Sequence, residues 1–204
     1  MENPSSGILV LASHNRKKLA ELDVLVRPLG LRVVSVGDVS SAPEPEETGM
    51  TFAENAIIKA EAALLATGMA SLADDSGLIV DALSGEPGVR SARYAGEKAG
   101  DAANNRLLLR NLRDVPDEAR TARFVSVIAL SVPGKATVTF MGETTGRILR
   151  EEKGEGGFGY DPLFLSDDLG VTFAEAGAEE KNMVSHRARG MTKCIAYMRE
   201  NSFG

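Results

Sequence analysis

Apolar and polar positions alternate along the first part of the chain in a pattern that predicts strands separated by a helix. Residues 7–12 form a short apolar run, which is typical of a buried strand. Leucines at helical spacing follow from Leu19 to Leu29, and the proline and glycine beside Leu29 end this predicted helix. Residues 31–36 predict a second strand, so the chain begins with a strand, a helix and a strand.

The next segment predicts a loop, a helix and two strands. An acidic, proline-rich loop covers 42–47, and Thr51-Phe52-Ala53-Glu54 then matches the capping box found at many helix starts. The alanine-rich helix that follows is expected to end near Ala66. Two apolar runs within 70–82 flank Asp74-Asp75-Ser76-Gly77, and that combination predicts a strand, a turn and a strand.

The second half of the chain predicts a hairpin between two helices. Residues 102–113 and 185–198 indicate helices. Residues 123–132 and 136–140 are joined by a Pro-Gly-Lys turn, which indicates a β-hairpin. We therefore expect an α/β fold with a mixed, partly antiparallel sheet and flanking helices, and not a purely doubly wound sheet. The length predicts a single domain over 1–204 with two lobes.

Composition and charge exclude several classes of protein. With 43% hydrophobic and 25% charged residues, the 204-residue chain is too apolar for disorder. No apolar run approaches the roughly 20 residues that span a bilayer, and the N-terminal stretch lacks the basic region of a signal peptide, so we expect a cytoplasmic protein without a membrane partner. The single cysteine, Cys194, excludes an internal disulfide framework. The net charge of −6 and the lack of a basic run argue against nucleic acid as a partner.

The first candidate site is the basic segment where the first strand meets the first helix. Its members are Ser13, His14, Asn15, Arg16, Lys17 and Lys18. Backbone N–H groups at a helix N-terminus attract anions and the side chains add full positive charges, so the segment predicts a phosphate-binding loop. The alternative is a simple helix cap at Ser13 or Asn15 with solvated lysines. That alternative leaves unexplained why cations stand where the helix dipole disfavours them.

Two groups of carboxylates supply candidate ligands for a hard cation. Glu47 precedes the predicted helix on which Asn55 and Lys59, four residues apart, share a face. Asp74 and Asp75 are adjacent, so in an extended segment one side chain can enter a cleft while the other supports the backbone. These residues predict Mg²⁺ ligation or general-base catalysis. The alternatives are a solvated loop acid for Glu47 and an ordinary hairpin turn for the two aspartates.

Aromatic and cationic residues in the last quarter of the chain form a further candidate site. Four glycines over 154–159 surround Phe158, which permits close backbone approach and leaves its ring able to stack on a nucleobase. The alternative is a flexible loop whose aromatic side chains pack in the core. His186 and Arg187 follow Ser185, a good helix cap, in a first turn where cations need an anion. A solvated or core position is the alternative for His186.

Six motifs occur in order from about residue 8 to residue 198, nearly the whole chain. They are Ser13-x-Asn15-x-x-Lys18, Glu47-Thr48-Gly49 with Phe52, Asn55 and Lys59, Asp74-Asp75-Ser76-Gly77-Leu78, Pro87-Gly88-Val89-x-Ser91-Ala92-Arg93, Phe158-Gly159-Tyr160-Asp161-Pro162 and Ser185-His186-Arg187. Each motif is weak by itself, but six in register are specific. The sequence resembles the inosine triphosphate pyrophosphatase family, the house-cleaning enzymes that are also called dITP/XTP pyrophosphatases.

The resemblance implies a fold of two lobes around a central substrate cleft, and a homodimer. It implies hydrolysis of ITP, dITP and XTP to the monophosphate and pyrophosphate, which removes deaminated purines from the nucleotide pool. Glu47 and Asp75 match the Mg²⁺ ligands, and Asp75 also matches the catalytic proton acceptor. The positions that match substrate-binding residues are Ser13, His14, Asn15, Arg16, Lys17, Lys18, Lys59, Ser76, Phe158, Gly159, Tyr160, Asp161, Lys181, His186 and Arg187.

Two other functions are compatible with the same residues. A sibling house-cleaning enzyme that prefers pyrimidine or modified nucleotides would carry similar cationic and carboxylate groups. A nucleotide-binding regulator without turnover would need the cationic loop but no aspartate that activates water. The presence of Asp75 therefore favours an enzyme over a regulator.

Overall fold

The computed structural model describes residues 7–201, so the start of the N-terminal stretch that was considered for a signal peptide lies outside the described residues. The strands are β1 (Ile8–Leu11), β2 (Arg32–Ser35), β3 (Ser71–Val80), β4 (Thr121–Ser131), β5 (Val138–Ile148) and β6 (Phe164–Ser166). The α-helices are α1 (Arg16–Val26), α2 (Val36–Val39), α3 (Phe52–Thr67), α4 (Asp101–Asn111), α5 (Ala178–Val184) and α6 (His186–Glu200). Short 3-10 helices cover Arg27–Leu29, Asp81–Leu83, Gly88–Arg93 and Asp117–Ala119.

The six strands form one sheet in the order β2-β1-β3-β4-β5-β6. Strand β1 is parallel to β2, with Leu9 opposite Val33, and also parallel to β3, with Leu11 opposite Leu72. Strand β5 is antiparallel to β6. The predicted α/β fold with a mixed, partly antiparallel sheet and flanking helices is therefore confirmed.

The two predicted strands and turn within 70–82 are wrong. Strand β3 runs without interruption from Ser71 to Val80, and both Asp74 and Asp75 are buried inside it. A pair of adjacent aspartates followed by Ser-Gly resembles a turn because buried carboxylates are costly without partners. In this protein, cationic side chains from distant parts of the chain supply those partners, which local sequence does not reveal.

Local signals placed most of the other elements correctly. The Thr51 hydroxyl accepts from the Glu54 N–H and the Glu54 carboxylate accepts from the Thr51 N–H, which is the predicted capping box at the start of α3. Strands β4 and β5 are consecutive neighbours joined across the predicted turn. Helix α6 begins at His186, directly after Ser185. Strand β6 and helices α2 and α5 were not predicted, since they are short.

The structure divides into two compact units. The first contains the chain up to Asp75, then Ser126–Gly142, and the chain from Arg187 onward. Its largest core cluster consists of Leu9, Leu11, Leu22, Val26, Leu31, Val33, Leu72, Ile128, Leu130, Met191, Cys194 and Met198. This core joins the first two strands, α1, β3, β4 and α6, with Leu22 and Val26 from the second half of α1 and Leu72 from the start of β3.

The second unit contains Ser76–Val125 and Glu143–His186. Its core is more aromatic than that of the first unit. The ring of Phe124 lies with its centroid 4.6 Å from that of Phe164 and 5.9 Å from that of Phe173. This aromatic group supports the segment that carries the predicted base-binding residues. Within the described residues, no helix is both long enough and apolar enough to span a membrane.

Candidate active site

The predicted phosphate loop lies at the N-terminus of α1 in the first unit. The Asn15 side chain accepts hydrogen bonds from the N–H groups of Lys17 and Lys18, at 3.0 and 3.2 Å. Asn15 is therefore the helix cap, as the simpler interpretation proposed. The Ser13 hydroxyl accepts from the Asn15 N–H at 3.1 Å, so the turn that leads into α1 is held by side chains.

The charged members of this segment have different environments. The His14 Nε2 lies 3.4 Å from the Glu44 carboxylate, and Arg16 forms two hydrogen bonds to Asp38. Lys18 turns inward, with only 17% of its side chain exposed, and its Nζ lies 2.9 Å from Oδ2 of Asp74. Lys18 is the inward-facing cation of the loop, while His14 and Arg16 are exposed.

Asp74 is the centre of a buried ionic network in the first unit. Its carboxylate accepts from the Ser126 hydroxyl at 2.6 Å, from Arg187 at 3.0 Å and from Lys18. Burial disfavours the charged form, but Arg187 and Lys18 outweigh it and hold the pKa of Asp74 well below its ordinary value. Asp74 is therefore an ionised carboxylate that fixes the position of Lys18.

Arg187 is buried in the same network. It contacts Asp74 and Glu21, and these carboxylates outweigh burial and raise the pKa of Arg187. The resemblance implies that Arg187 binds substrate, and in the structure it contacts two carboxylates of the first unit. Glu21 and Ser126 were missed, because they lie far along the chain from Asp74 and carry no distinctive motif.

Lys59 joins the two carboxylates predicted as metal ligands. Its Nζ lies 3.0 Å from Oε1 of Glu47 and 2.5 Å from Oδ1 of Asp75. Burial and the negative charge of Glu47 together raise the pKa of Asp75 despite the opposing effect of Lys59. Asp75 and Glu47 outweigh burial and raise the pKa of Lys59. The second carboxylate oxygen of Asp75, Oδ2, is buried and accepts no hydrogen bond from the described residues.

Helix α3 also fixes the segment that carries Glu47. The buried Asn55 side chain accepts a hydrogen bond from the Gly49 N–H at 2.8 Å. A Cβ atom on Gly49 would lie 2.6 Å from Oδ1 of Asn55, so only glycine permits this approach. Asn55 and Lys59 therefore act from one helix face on the same segment, as their spacing predicted.

The second unit contains a separate cluster of a lysine, a carboxylate and aromatic rings. The Nζ of Lys181 lies 2.6 Å from Oδ2 of Asp161, and both residues are buried. The Phe158 N–H donates to the same Asp161 oxygen at 2.8 Å. Lys181 also lies 4.8 Å from the centroid of the Phe158 ring and 5.5 Å from that of Phe173. The predicted residues Phe158, Asp161 and Lys181 are thus brought together.

The remaining predicted residues of the second unit are more deeply packed. The Tyr160 hydroxyl donates to the Ser91 carbonyl at 2.8 Å, and burial raises the pKa of Tyr160. His186 is buried and stacks on Phe124, with centroids 4.9 Å apart and an interplanar angle of 14°. Ser76 is half-buried in β3. Tyr160 and His186 are therefore packed in the core, which is the alternative that was considered for them, whereas Phe158 is only half-buried.

A mixed α/β sheet with buried lysines and carboxylates near the start of a helix is typical of the class of proteins that bind phosphate groups. The family comparison narrows that class. The chain belongs to the Ham1 family, whose sequence model matches residues 9–197.

Curated relatives match nearly the whole chain. It is 54% identical over 187 residues to the dITP/XTP pyrophosphatase of Desulforamulus reducens, a match that covers 92% of this chain and 93% of the relative. It is 52% identical over 183 residues to the dITP/XTP pyrophosphatase of Geobacter sulfurreducens, with 90% and 92% covered.

Solved structures support the same family. The Ham1 protein of Staphylococcus aureus has a TM-score of 0.86 at 41% identity, and the match covers 95% of this chain and 99% of that one. The nucleoside-triphosphatase, or dITP/XTP pyrophosphatase, of Mycobacterium abscessus has a TM-score of 0.75 at 46% identity, with 92% and 97% covered. The fold of this chain is therefore that of the Ham1 structures.

Proposed function

We propose that the protein hydrolyses non-standard purine nucleoside triphosphates, namely ITP, dITP and XTP, to the nucleoside monophosphate and pyrophosphate. The observation that carries this proposal is the Asp75 carboxylate, which is held by Lys59 through one oxygen while its other oxygen is buried without a partner among the described residues. Family membership and relatives named dITP/XTP pyrophosphatases support the same reaction.

Asp75 is the proposed proton acceptor. The water oxygen forms a bond to the α-phosphorus as the bond between that phosphorus and the oxygen that bridges to the β-phosphate breaks. Pyrophosphate leaves, and the proton that the water loses passes to the carboxylate. A buried carboxylate with a raised pKa is a better base than an exposed one, because its charged form is less well solvated.

Lys18 and Lys59 are the proposed phosphate-binding cations of the first unit. Lys18 is held by Asp74, and Lys59 by Glu47 and Asp75, so neither ammonium has to be ordered when a substrate arrives. Cations that are positioned in advance stabilise the negative charge that develops on phosphate oxygens during hydrolysis. The backbone N–H groups at the start of α1 provide further donors.

Magnesium is the proposed cofactor, with Glu47 and Asp75 as its protein ligands. Both offer carboxylate oxygens, the donors that Mg²⁺ prefers, and one Asp75 oxygen is buried without a partner among the described residues. Mg²⁺ commonly binds one or two carboxylates together with substrate phosphates, and these two carboxylates both contact Lys59. When bound, the ion would neutralise charge on the phosphate oxygens.

Phe158, Asp161, Lys181 and His186 are the proposed nucleobase-binding residues. Hypoxanthine and xanthine carry a keto oxygen at position 6, which can accept hydrogen bonds from donors such as Lys181 or His186. Adenine carries an amino group there, so buried donors would lose their partners at a cost of about 1–3 kcal/mol. The half-buried Phe158 ring offers a surface for stacking.

The assembly and cellular setting are also proposals. We propose a homodimer that acts in the cytoplasm on free nucleotides and has no nucleic acid or membrane partner. The net charge of −6 supports the proposal that the protein does not bind nucleic acid, since duplex binding needs clustered cations. Sedimentation of the purified protein over a concentration range tests the dimer, because a single mass equal to that of the monomer would contradict it.

A nucleotide panel tests the proposed reaction. The protein is incubated with ITP, dITP, XTP, GTP, ATP and CTP in the presence of MgCl2, and both phosphate products are measured. We expect pyrophosphate and the monophosphate from ITP, dITP and XTP at rates well above those from ATP and CTP. Release of orthophosphate and a nucleoside diphosphate would contradict the reaction class, and faster turnover of CTP would contradict the substrate class.

A further inference from the structure

Two residues of α4 hold a single glycine in the segment that carries the proposed base-binding residues. The Asp101 carboxylate accepts a hydrogen bond from the Gly159 N–H at 2.7 Å. The Asn105 Nδ2 donates to the Gly159 carbonyl at 3.2 Å. Asp101 and Asn105 are four residues apart, so they share a face of the helix. Helix α4 therefore binds both peptide groups that flank the Cα atom of Gly159.

The conformation of Gly159 makes these two bonds consequential. Its φ of +62° lies in the left-handed region, where the backbone changes direction between Phe158 and Tyr160. Glycine loses more conformational freedom on ordering than other residues, so an untethered Gly159 would sample other conformations. The bonds from α4 therefore fix the directions in which Phe158 and Tyr160 leave the turn.

Asn105 is suited to a fixed support. It is 3% exposed, and its Nδ2 also donates to Oε1 of Glu152 at 2.9 Å. Glu152 precedes the glycine-rich stretch, so α4 contacts this segment at two places. Asp101, at the first position of α4, is exposed and is therefore open to substitution without loss of core packing.

We propose that Asp101 and Asn105 are positioning residues that hold the 158–161 turn in the conformation that binds the nucleobase. This inference rests on the proposed function for the identity of the ligand. Neither side chain needs to touch the substrate. They act through Gly159, whose position determines how the Phe158 N–H meets Asp161 and how the Phe158 ring lies beside Lys181.

Kinetic comparison of three variants tests the role of this tether. Asp101→Ala removes the acceptor for the Gly159 N–H, whereas Asp101→Asn keeps an oxygen at the same place. The control is Asp114→Ala, which removes an exposed carboxylate of the same unit that pairs with Arg113. We expect Asp101→Ala to raise KM for ITP about tenfold with kcat within twofold. Asp101→Asn should restore most of the affinity, because its amide oxygen can still accept the hydrogen bond from the Gly159 N–H.

A merely structural role would give a different pattern. It would lower kcat in proportion to the folded fraction and leave KM unchanged, and that pattern would overturn the proposal. An equal rise in KM for Asp114→Ala would overturn it as well. Asn105→Ala should raise KM in the same direction, and a wild-type KM in a folded Asn105→Ala protein would exclude Asn105 from the role.

Amide hydrogen exchange without any nucleotide separates this inference from the proposed function. Peptides that cover 156–163 should exchange about tenfold faster in Asp101→Ala than in the wild type, and at the wild-type rate in Asp114→Ala. Unchanged protection in Asp101→Ala would overturn the positioning role whatever the enzyme hydrolyses. Faster exchange with no pyrophosphate release by the wild type would support the tether and overturn the proposed function.

Discussion

The Lys59 ammonium lies 2.5 Å from one oxygen of Asp75. It also contacts Glu47, so one cation lies between the two carboxylates proposed as magnesium ligands. This arrangement offsets part of the cost of burying the carboxylates when no metal is bound. It also means that Lys59 and a metal ion are attracted to the same oxygens.

Replacing Lys59 by methionine should separate metal binding from catalysis. Without the Lys59 ammonium, Glu47 and Asp75 can attract Mg²⁺ without a competing positive charge. Lys59→Met should therefore bind Mg²⁺ about tenfold more tightly in the absence of nucleotide. Pyrophosphate release should fall, because a phosphate-binding cation is lost. Calorimetric titration with MgCl2 measures the affinity. Lys98→Met, on an exposed residue of the second unit, is the matched control, and weaker binding by Lys59→Met would contradict the arrangement.

Replacing Asp75 by asparagine should remove activity without destabilising the fold. The amide cannot accept a proton from water, so pyrophosphate release from ITP should fall at least about a hundredfold. The thermal midpoint should stay within about 3 °C of the wild type. The pKa of Asp75 is raised, which means that the ionised carboxylate is itself destabilised by burial and its removal costs little. Asp114→Asn, on an exposed carboxylate, is the control. Activity within tenfold of the wild type would exclude Asp75 as the proton acceptor.

Replacing Asp74 by asparagine should destabilise the protein in a pH-dependent manner. The folded pKa of Asp74 lies well below the ordinary 3.8, so its ionisation stabilises the fold above pH 3.8 and this contribution is lost as the pH falls below it. We expect a loss of about 3 kcal/mol in the free energy of unfolding at pH 7, because Arg187 and Lys18 lose a buried partner. Urea denaturation at several pH values should show the difference shrinking below pH 3.8. A difference that is constant with pH would contradict this account.

The Lys181–Asp161 pair should be strongly coupled. Lys181→Met leaves a buried carboxylate without its ammonium, and we expect about 3–5 kcal/mol of destabilisation. Adding Asp161→Asn should recover part of the loss, so a double-mutant cycle in urea should give a coupling energy of at least about 2 kcal/mol. The exposed Arg150–Asp117 pair, 2.7 Å apart, is the matched control, with an expected coupling below about 1 kcal/mol. Equal coupling in the two pairs would contradict the prediction.

The sequence predicts those features of the fold and site that depend on neighbouring residues. The Asn15 cap, the Thr51 capping box and the hairpin of β4 and β5 are specified within a few positions, and each is present. The resemblance of six motifs over nearly the whole chain gave the family, which the Ham1 sequence model confirms. The proposed roles of the individual site residues stay predictions.

The features that the sequence did not predict depend on distant residues. Asp74 and Asp75 were assigned to a turn because they precede Ser76 and Gly77 between two apolar runs. The cations that allow Asp74 to be buried in a strand, Lys18 and Arg187, are 56 and 113 positions away from it. Asp101 and Asn105 lie 58 and 54 positions from Gly159 and carry no motif. Such partners become visible only when the chain is folded.

The first unit is assembled from three separate segments, namely the chain up to Asp75, Ser126–Gly142 and the chain from Arg187 onward. Its core places Leu9 and Leu22 together with Met191 and Cys194. During synthesis, the N-terminal strands leave the ribosome long before α6 exists, so the contacts that α6 makes with this core are missing in the meantime. The buried ion pair between Asp74 and Arg187 likewise cannot form until Arg187 has been synthesised. The nascent chain therefore completes this core only after its last helix has been translated.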